Sequence, residues 1–201
     1  RDRLRDTRRP LVRGLRIYAR AGEGVVNGST RPQTFQWAQG GHALNRRVEA
    51  WGVIGVAIRA NDYMTGTSNI YGVRSVRLLV DSVEVFRSRT DSVSFAENRA
   101  INGLIDYDVY RRTRALYAKS FLLPGSPLRL TQSDAPGRGW ISIDEERDYH
   151  FTYELEDGFG NRSTYAFTVH GRRQAIPEAH RTGGTLLRWD KANVITRPGM
   201  Q

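Results

Sequence analysis

The fold of this chain is decided by residues 51–89, WGVIGVAIRANDYMTGTSNIYGVRSVRLLVDSVEVFRSR. The first part of this stretch predicts a strand, because Ile54, Val56 and Ile58 alternate along it and share one face. The residues between them are small or apolar, so the opposite face is apolar as well. Such a strand is typical of the centre of a sheet that is covered on both sides. Gly, Thr, Ser and Asn then predict a loop over residues 61–72.

The last part of the stretch predicts a β-hairpin with a tight turn at residues 81–82. A two-residue loop places Val80 opposite Val83. Leu78 then lies opposite Val85, so that the two returning valines share the inward face of the hairpin. We therefore expect the core of the protein to be a β-sheet.

A second hairpin gives the clearest signal in the chain. Aromatic and polar residues alternate over residues 149–156, DGFGN predicts a turn at residues 157–161, and residues 164–169 alternate again. One aromatic face should point inward and one polar face should meet water. Shorter alternations predict strands at residues 11–20, 33–38, 92–95 and 140–143, and AGEGVVNGST at residues 21–30 predicts a turn after the first of them.

The period changes from two to that of a helix after Asp106. The recurring positions are Val109, Thr113, Leu116 and Tyr117. Asp106 or Asp108 is a candidate N-cap, and Pro124 should stop the helix. One short helix inserted in a sheet protein is the expected result.

These elements predict an all-β fold, an immunoglobulin-like or fibronectin-like antiparallel β-sandwich with one short inserted helix. We expect residues 1–10 to be a linker, residues 11–170 to be the sandwich domain and residues 171–183 to be a second linker. Residues 184–201 are either the start of a truncated following domain or a last edge strand.

The composition narrows the classes of function. The chain has 201 residues, a formal charge of +10 and no cysteine, which excludes disulfides and thiolate metal sites. Its cations are almost all arginine and are scattered, without a nucleic-acid-binding motif, so we expect no nucleic acid partner. We expect no membrane span either, because no apolar run approaches the necessary length. A basic surface that faces anionic envelope polymers is the favoured interpretation.

No catalytic or metal-binding motif stands out. The histidines are His42, His150, His170 and His180, and none has a partner at zinc-motif spacing. His150 and His170 could be cross-strand neighbours in the second hairpin. They would then form either a two-histidine metal site or, as is commoner, two separate surface histidines. The acidic residues at 106–108 and 144–146 are read as a helix cap and a polar turn, with paired glycosidase carboxylates as the alternative. We therefore predict no catalytic, cofactor-binding or metal-binding residue.

The loop over residues 61–72 is the candidate ligand or partner loop, through Asp62, Tyr63, Asn69 and Tyr71. Its oxygen ligands could hold calcium, but Asn and Asp side chains more commonly bind their own backbone. The tryptophans offer another alternative. They could form a sugar-stacking platform together with Tyr63 and Tyr71, or they could be half-buried residues of the core. The tryptophans are Trp37, Trp51, Trp140 and Trp189.

Several phrases, in one order, resemble a known family. They are DTRRP at 6–10, LRIYA at 15–19, VVNG at 25–28, GVAIRANDYMTGTSNIYGV at 55–73, VRLLVDSVEVF at 76–86, SFAENRAINGLIDY at 94–107, FLLPGSPL at 121–128 and DGFGNRSTYAFTVHG at 157–171. Residues 6–170 resemble the region that follows the catalytic domain in lysostaphin-type zinc metallopeptidases, the murein endopeptidases of Gram-negative bacteria. LLRWDKANVI in the tail resembles the start of the next β-domain more weakly. The turn at 81–82 is Asp-Ser where that family tends to have Asp-Gly.

The resemblance implies position rather than chemistry. That family holds zinc with His-x-x-x-Asp and His-x-His, and neither motif occurs here, since His42 is followed four positions later by Arg46. It therefore implies no enzyme and no cofactor in this chain, with zinc only in the absent catalytic domain. It implies an exported β-module in the periplasm or outer envelope. This module would space, dock or regulate the catalytic domain of the same polypeptide. Its other possible partner is peptidoglycan or another anionic envelope polymer. The alternative is a carbohydrate- or peptidoglycan-binding module that uses exposed aromatic residues.

Overall fold

The structure is a computed structural model. It describes residues 6–63, 70–71, 73–89, 103–123, 131–132 and 137–177. Among these residues no helix is long and apolar enough to cross a membrane.

The described chain is mostly β, with one short helix. The strands are β1 (Leu11–Val26), β2 (Gln33–Phe35), β3 (Glu49–Tyr63), β4 (Ile70–Tyr71), β5 (Ser75–Val80), β6 (Val83–Arg89), β7 (Ala118–Lys119), β8 (Thr131–Gln132), β9 (Ile141–Ile143), β10 (Asp148–Glu156) and β11 (Arg162–Gly171). The helix is α1 (Tyr107–Thr113).

Strand β3 is the centre of the sheet, as its sequence predicts. One edge of β3 pairs with β1 in antiparallel register. The other edge pairs in turn with the end of β11, then with β9, β7 and β4. Residues 54–58 of β3 are buried without interruption, which explains why both faces of this strand are apolar.

The sheet is mixed rather than purely antiparallel. Its main order is β2-β1-β3-β11-β10-β5-β6-β8. The β11–β3 contact is parallel and joins only His170 to Glu49 and Gly171 to Ala50. This corrects the antiparallel expectation, because β11 takes its direction from its hairpin with β10 and meets β3 only where β3 begins. The immunoglobulin-like sandwich stays a prediction.

The second predicted hairpin is confirmed. Tyr149 pairs with Val169, Phe151 with Phe167 and Tyr153 with Tyr165. The rings of Phe151 and Phe167 stack with centroids 4.8 Å apart. The inward residues of both strands join one hydrophobic cluster with residues of β1, β3, β5 and β6. The polar turn before β10 is also confirmed, since the amides of Asp144 and Glu145 donate to the Tyr149 hydroxyl.

The first predicted hairpin forms, but part of its predicted register is wrong. Asp81 and Ser82 both have positive φ, 49° and 68°, as a type I′ turn requires, and Val80 pairs with Val83. A bulge between Leu78 and Leu79 then shifts the ladder. Leu78 therefore faces Phe86 instead of Val85.

The bulge changes which residue of β6 fills the core. Phe86 is 2% exposed, whereas Val85, predicted to face Leu78, is only partly buried. Val83 keeps its predicted pairing with Val80 but is 66% exposed beside the turn. An extra residue in one strand moves every later side chain to the other face, so one bulge changes which residue is buried.

Strand β1 is longer than predicted and β2 is shorter. Residues 21–26 continue β1 past a register irregularity between Ala19 and Gly24, so the expected turn is narrowed to residues 27–28. The residues between Ala19 and Gly24 have no partner on β3, so the strand bulges there where the glycine-rich sequence predicted a turn. Strand β2 ends at Phe35 because Trp37 turns to bridge Leu44.

The helix begins as predicted and ends earlier. Asp106 is the N-cap, and its side chain accepts from the amide of Val109 at 3.2 Å. The helix ends at Thr113, well before Pro124, because Arg114 adopts a left-handed conformation. Ala118 then bridges Ile105, so the following segment runs as an extended strand.

Segments at both ends of the predicted domain pack against it. The carbonyl oxygens of Asp6 and Pro10 accept from Asn161 Nδ2 and Ser163 Oγ. After β11, the amide of Arg172 donates to the carbonyl of Ala50. The domain boundaries stay predictions. The predicted strand at 92–95 and the tail at 184–201 lie outside the described residues.

Replacing Gly52 with alanine should destabilise the fold. Gly52 has a φ of +76°, and a Cβ there would lie 2.0 Å from the carbonyl oxygen of Glu23 on β1. We expect Gly52→Ala to lower the free energy of unfolding by about 2 kcal/mol or more. Gly158→Ala is the matched control, because no atom lies within 4 Å of its Cβ position, and it should change stability by less than about 0.5 kcal/mol. Urea unfolding measures both, and equal stabilities would contradict the packing of β1 on β3.

The burial of Phe86 and the exposure of Val83 predict unequal costs at these two positions of β6. Phe86→Ala should lower the free energy of unfolding by about 3–5 kcal/mol, because it removes a buried ring. Val83→Thr should cost less than about 0.5 kcal/mol, because this side chain is exposed and keeps its β-branched shape. Denaturant titrations of the two variants give the answer. A large loss for Val83→Thr would contradict the exposure of this side chain beside the turn.

Candidate functional site

One pocket of the described structure brings several charged side chains together. It lies where β1, α1 and β7 meet, and its volume is about 560 Å³. Four cationic side chains and two carboxylates line it: Arg16, Arg20, Arg112, Lys119, Asp106 and Asp108. Aromatic and apolar side chains complete the wall: Tyr18, Phe121, Leu123 and Trp140. We name this feature the cationic pocket.

Asp106 ties the elements around the pocket together. Its Oδ2 accepts a hydrogen bond of 2.6 Å from the Tyr18 hydroxyl and one of 3.0 Å from Nε of Arg16. Its Oδ1 caps α1 through the amide of Val109. Arg16 also donates from a terminal nitrogen to Oγ1 of Thr34 at 2.8 Å. The guanidinium of Arg16 is therefore fixed by partners on two other segments of the chain.

The protonation states in this network follow from its contacts. Burial alone would raise the pKa of Asp106, but the hydrogen bonds from Tyr18 and Val109 and the positive charge of Arg16 together lower it. Burial raises the pKa of the Tyr18 hydroxyl, and its bond to Asp106 raises it further. Asp106 is therefore a carboxylate and Tyr18 a neutral donor at neutral pH.

Lys119 differs from the other cations of the pocket. Its main chain is held by β3, through pairing with Ala57, and by a hydrogen bond from its amide to the carbonyl of Leu104. Burial lowers the pKa of its ammonium, and the charges of Asp106 and Asp108 only partly oppose this. Within the described part of the chain, no ion pair joins the Lys119 ammonium to a carboxylate. The pocket thus contains a partly desolvated cation.

The other two cations lie at the rim. Arg20 is exposed, pairs with Glu23 at 3.3 Å and has its guanidinium carbon 5.7 Å from the ring centre of Trp140. Arg112 is exposed on α1, and its Nε donates to the carbonyl of Asp108 at 3.1 Å. Both side chains are solvated and can turn toward a bound group.

Aromatic packing makes one wall rigid. The Phe121 ring lies 4.2 Å from that of Trp140 and meets Tyr18 edge to face at 5.4 Å. Nε1 of Trp140 donates to the carbonyl of Leu122 at 3.2 Å. A rigid wall with solvated cations at its rim can hold an anionic group and the apolar part of the molecule that carries it.

The predicted partner loop is only partly described. The backbone of Asp62 pairs with that of Tyr71, and Tyr63 pairs with Ile70. Asn69 lies outside the described residues. The backbone therefore brings Asp62 and Tyr71 side by side, and the role of this loop in binding stays a prediction.

The tryptophans do not form one platform. Trp37 packs beside Tyr165 and Phe167, at 5.3 Å and 5.6 Å between ring centres. Trp51 lies under the guanidinium of Arg173 at 5.3 Å, and Trp140 lines the cationic pocket. Trp189 lies outside the described residues. The described tryptophans are all partly buried, which favours the core interpretation.

The histidines of the second hairpin are not direct partners. His150 pairs with Thr168, and His170 pairs with Asp148 through a 2.5 Å contact between Nδ1 and Oδ1. No group of three or more His, Asp or Glu side chains able to hold a metal ion occurs within the ranges that the structure describes.

Sequence reasoning missed the cationic pocket. The available signal was the alternation of Arg16, Tyr18 and Arg20, which places all three on one face of β1. This pattern is also what an ordinary solvent-exposed strand face shows, so it does not indicate a pocket by itself. The sequence offers Asp106 as a candidate helix cap, or as one of a pair of glycosidase carboxylates, and gives no sign that the same carboxylate also binds β1. The partners are separated by up to 90 positions, so their meeting depends on the tertiary fold.

No protein-family model, curated protein or solved structure matches this chain.

The Asp106 network predicts a pH-dependent stability. Because the pKa of Asp106 is lowered on folding, its contribution is complete above the ordinary value of 3.8 and is lost as the pH falls through the folded value. Asp106→Asn should lower the free energy of unfolding at pH 7 by about 1–3 kcal/mol. The difference from wild type should shrink as the pH falls below about 4.

Glu23→Gln is the control for this prediction. Among the described residues, the Glu23 side chain pairs with Arg20 alone and is exposed, so its replacement should cost less than about 1 kcal/mol. Urea unfolding at several pH values measures both variants. A constant difference between wild type and Asp106→Asn down to pH 2 would contradict the assigned charge state of Asp106.

Proposed function

We propose that this chain is a non-catalytic, immunoglobulin-like β-module of a lysostaphin-type envelope peptidase. It spaces or docks the catalytic domain of the same polypeptide by holding peptidoglycan or a similar anionic polymer. Zinc, in this proposal, belongs to the catalytic domain, and the polypeptide acts in the periplasm or outer envelope. The resemblance over residues 6–170 supports the parent family.

The observation that carries the docking role is the surplus of cations in the pocket. Four cationic side chains meet two carboxylates there, and one of those carboxylates, Asp106, is already bound by Arg16 and Tyr18. A concave surface of one net sign concentrates ligands of the opposite charge. Peptidoglycan stem peptides carry carboxylates, which suit Arg and Lys donors.

Exposed cations also occur outside the pocket. Several arginines outside the pocket are exposed, among them Arg31, Arg46, Arg111 and Arg138. Exposed charges steer a polymer toward the surface and add little affinity each, and salt screens them. The proposed attachment is therefore weak at each point and sensitive to ionic strength.

A carbohydrate-binding module is the second candidate. The observation that favours it is Trp140, which lines the pocket beside Arg20 and offers an indole close to the cations. A sugar ring could stack on this indole whether or not it also carries an acidic group for the cations. In this case neutral glycans would quench the tryptophan fluorescence, whereas the docking proposal needs the charge.

Purified murein sacculi provide the test of the docking proposal. The full chain should be retained at low salt and released as the salt concentration rises past physiological values. The double variant Arg20→Gln/Arg112→Gln should lower the affinity about tenfold, which corresponds to roughly 1.4 kcal/mol. Its matched control is Arg47→Gln/Arg172→Gln, which removes two exposed arginines that both pair with Glu49 outside the pocket.

The control should keep most of the retention. No retention of the wild type at low salt, or equal losses for both double variants, would contradict docking through the pocket. Retention that persists at high salt would also contradict it, because a charge-based attachment must weaken as it is screened.

A further inference from the structure

We propose that the cationic pocket binds one small anionic group, a carboxylate or a phosphate, and that Lys119 is the residue that contacts it. This inference rests on the proposed function for the identity of the larger molecule, but recognition of the anionic group can be tested on small molecules. It divides the four cations into a fixed one, a binding one and two at the rim.

Arg16 is the fixed cation. Its Nε is engaged by Asp106 and one terminal nitrogen by Thr34, so its charge and its geometry are already used within the fold. Its side chain is only 15% exposed. Arg16 therefore belongs to the wall of the pocket and holds β1 against the start of α1.

Among the described residues, Lys119 is the pocket cation that makes no ion pair or side-chain hydrogen bond, although the charges of Asp106 and Asp108 act on it. Its main chain cannot move far, because β7 is paired with β3 and its amide is bonded to Leu104. Its ammonium is partly desolvated, and the ion pairs of the described residues do not include it. A charge withdrawn from water without a partner is unfavourable, and an entering anion would remove that cost.

Arg20 and Arg112 approach the pocket from β1 and α1. Both are exposed, so they can rotate toward an anion without breaking a buried contact. Guanidinium groups bind carboxylate and phosphate oxygens in a bidentate way. One ammonium in the pocket and two guanidiniums at its rim would match the oxygens of a single anionic group.

The size and charge of the pocket limit the ligand. A volume of about 560 Å³ lies within the range of small-molecule sites. Asp106 and Asp108 also line the pocket, so its positive surplus is modest. This balance favours a group with one or two negative charges over a polyphosphate or a nucleic acid backbone, which would bring further charge close to both carboxylates.

The test uses the full chain with three probes at constant, low ionic strength: inorganic phosphate, D-glucuronate and neutral D-glucose. Isothermal titration measures affinity, and tryptophan fluorescence gives a second readout because Trp140 lines the pocket. Phosphate or glucuronate should bind at one site, and glucose should not. Saturation by glucuronate alone would assign a carboxylate, and saturation by phosphate alone would assign a phosphate.

Variants separate Lys119 from general charge. Lys119→Gln should lower the affinity at least tenfold, Lys119→Arg should keep it within about threefold, and Arg47→Gln should leave it unchanged. Lys119→Gln should melt at or above the wild-type temperature, because it removes a partly desolvated charge. Wild-type affinity in Lys119→Gln, or no saturable binding of either anion, would overturn the inference.

Comparison with the sacculus experiment separates the two proposals. Binding of the small anions without retention on sacculi would leave the pocket in place and refute docking to murein. Retention on sacculi that is unchanged in Lys119→Gln, with no binding of small anions, would refute the pocket assignment and leave docking in place.

Discussion

The described fold depends on the hydrogen bonding of β3 along both of its edges. A buried strand must satisfy the amides and carbonyls of both edges, since an unpaired backbone group away from water is costly. β1 satisfies one edge along most of its length, and the chain returns with β11, β9, β7 and β4 to cover the other. The hydrophobic cluster and the cationic pocket both depend on this pairing. Val56 and Ile58 of β3 face the cluster, whereas β7 pairs Lys119 with Ala57 on the opposite face of β3.

Much of this arrangement could be predicted from local patterns. The alternation in β3, the aromatic alternation in β10 and β11 and the capping by Asp106 are each strong signals within a few residues. The bulge after Leu78 left no such signal, and neither did the extension of β1, because the partner strand decides where an extra residue is absorbed. The parallel contact of β11 with β3 joins residues that are far apart in the sequence, which periodicity cannot detect.

The candidate site was harder to predict for the same reason. A loop rich in Asp, Asn and Tyr drew attention to Asp62 and Tyr71, although composition alone cannot separate ligand contacts from local turn contacts. The cationic pocket instead combines Tyr18 with Asp106, 88 positions apart. Lys119 is one of two lysines in an arginine-rich chain. Its sequence position does not reveal that its ammonium is partly buried, and this burial is what marks it as a candidate binding residue.

The hydrogen bond of 2.8 Å between the side chains of Ser120 and Tyr153 adds one more consequence. Both residues are almost fully buried, so the segment that carries Lys119 is anchored to β10 in the core. The main chain of Lys119 is thus held in place by the interior of the molecule before any ligand binds. A backbone that is fixed in advance loses little conformational entropy on binding, so only side chains such as the two arginines at the rim need to be ordered around even a small anion.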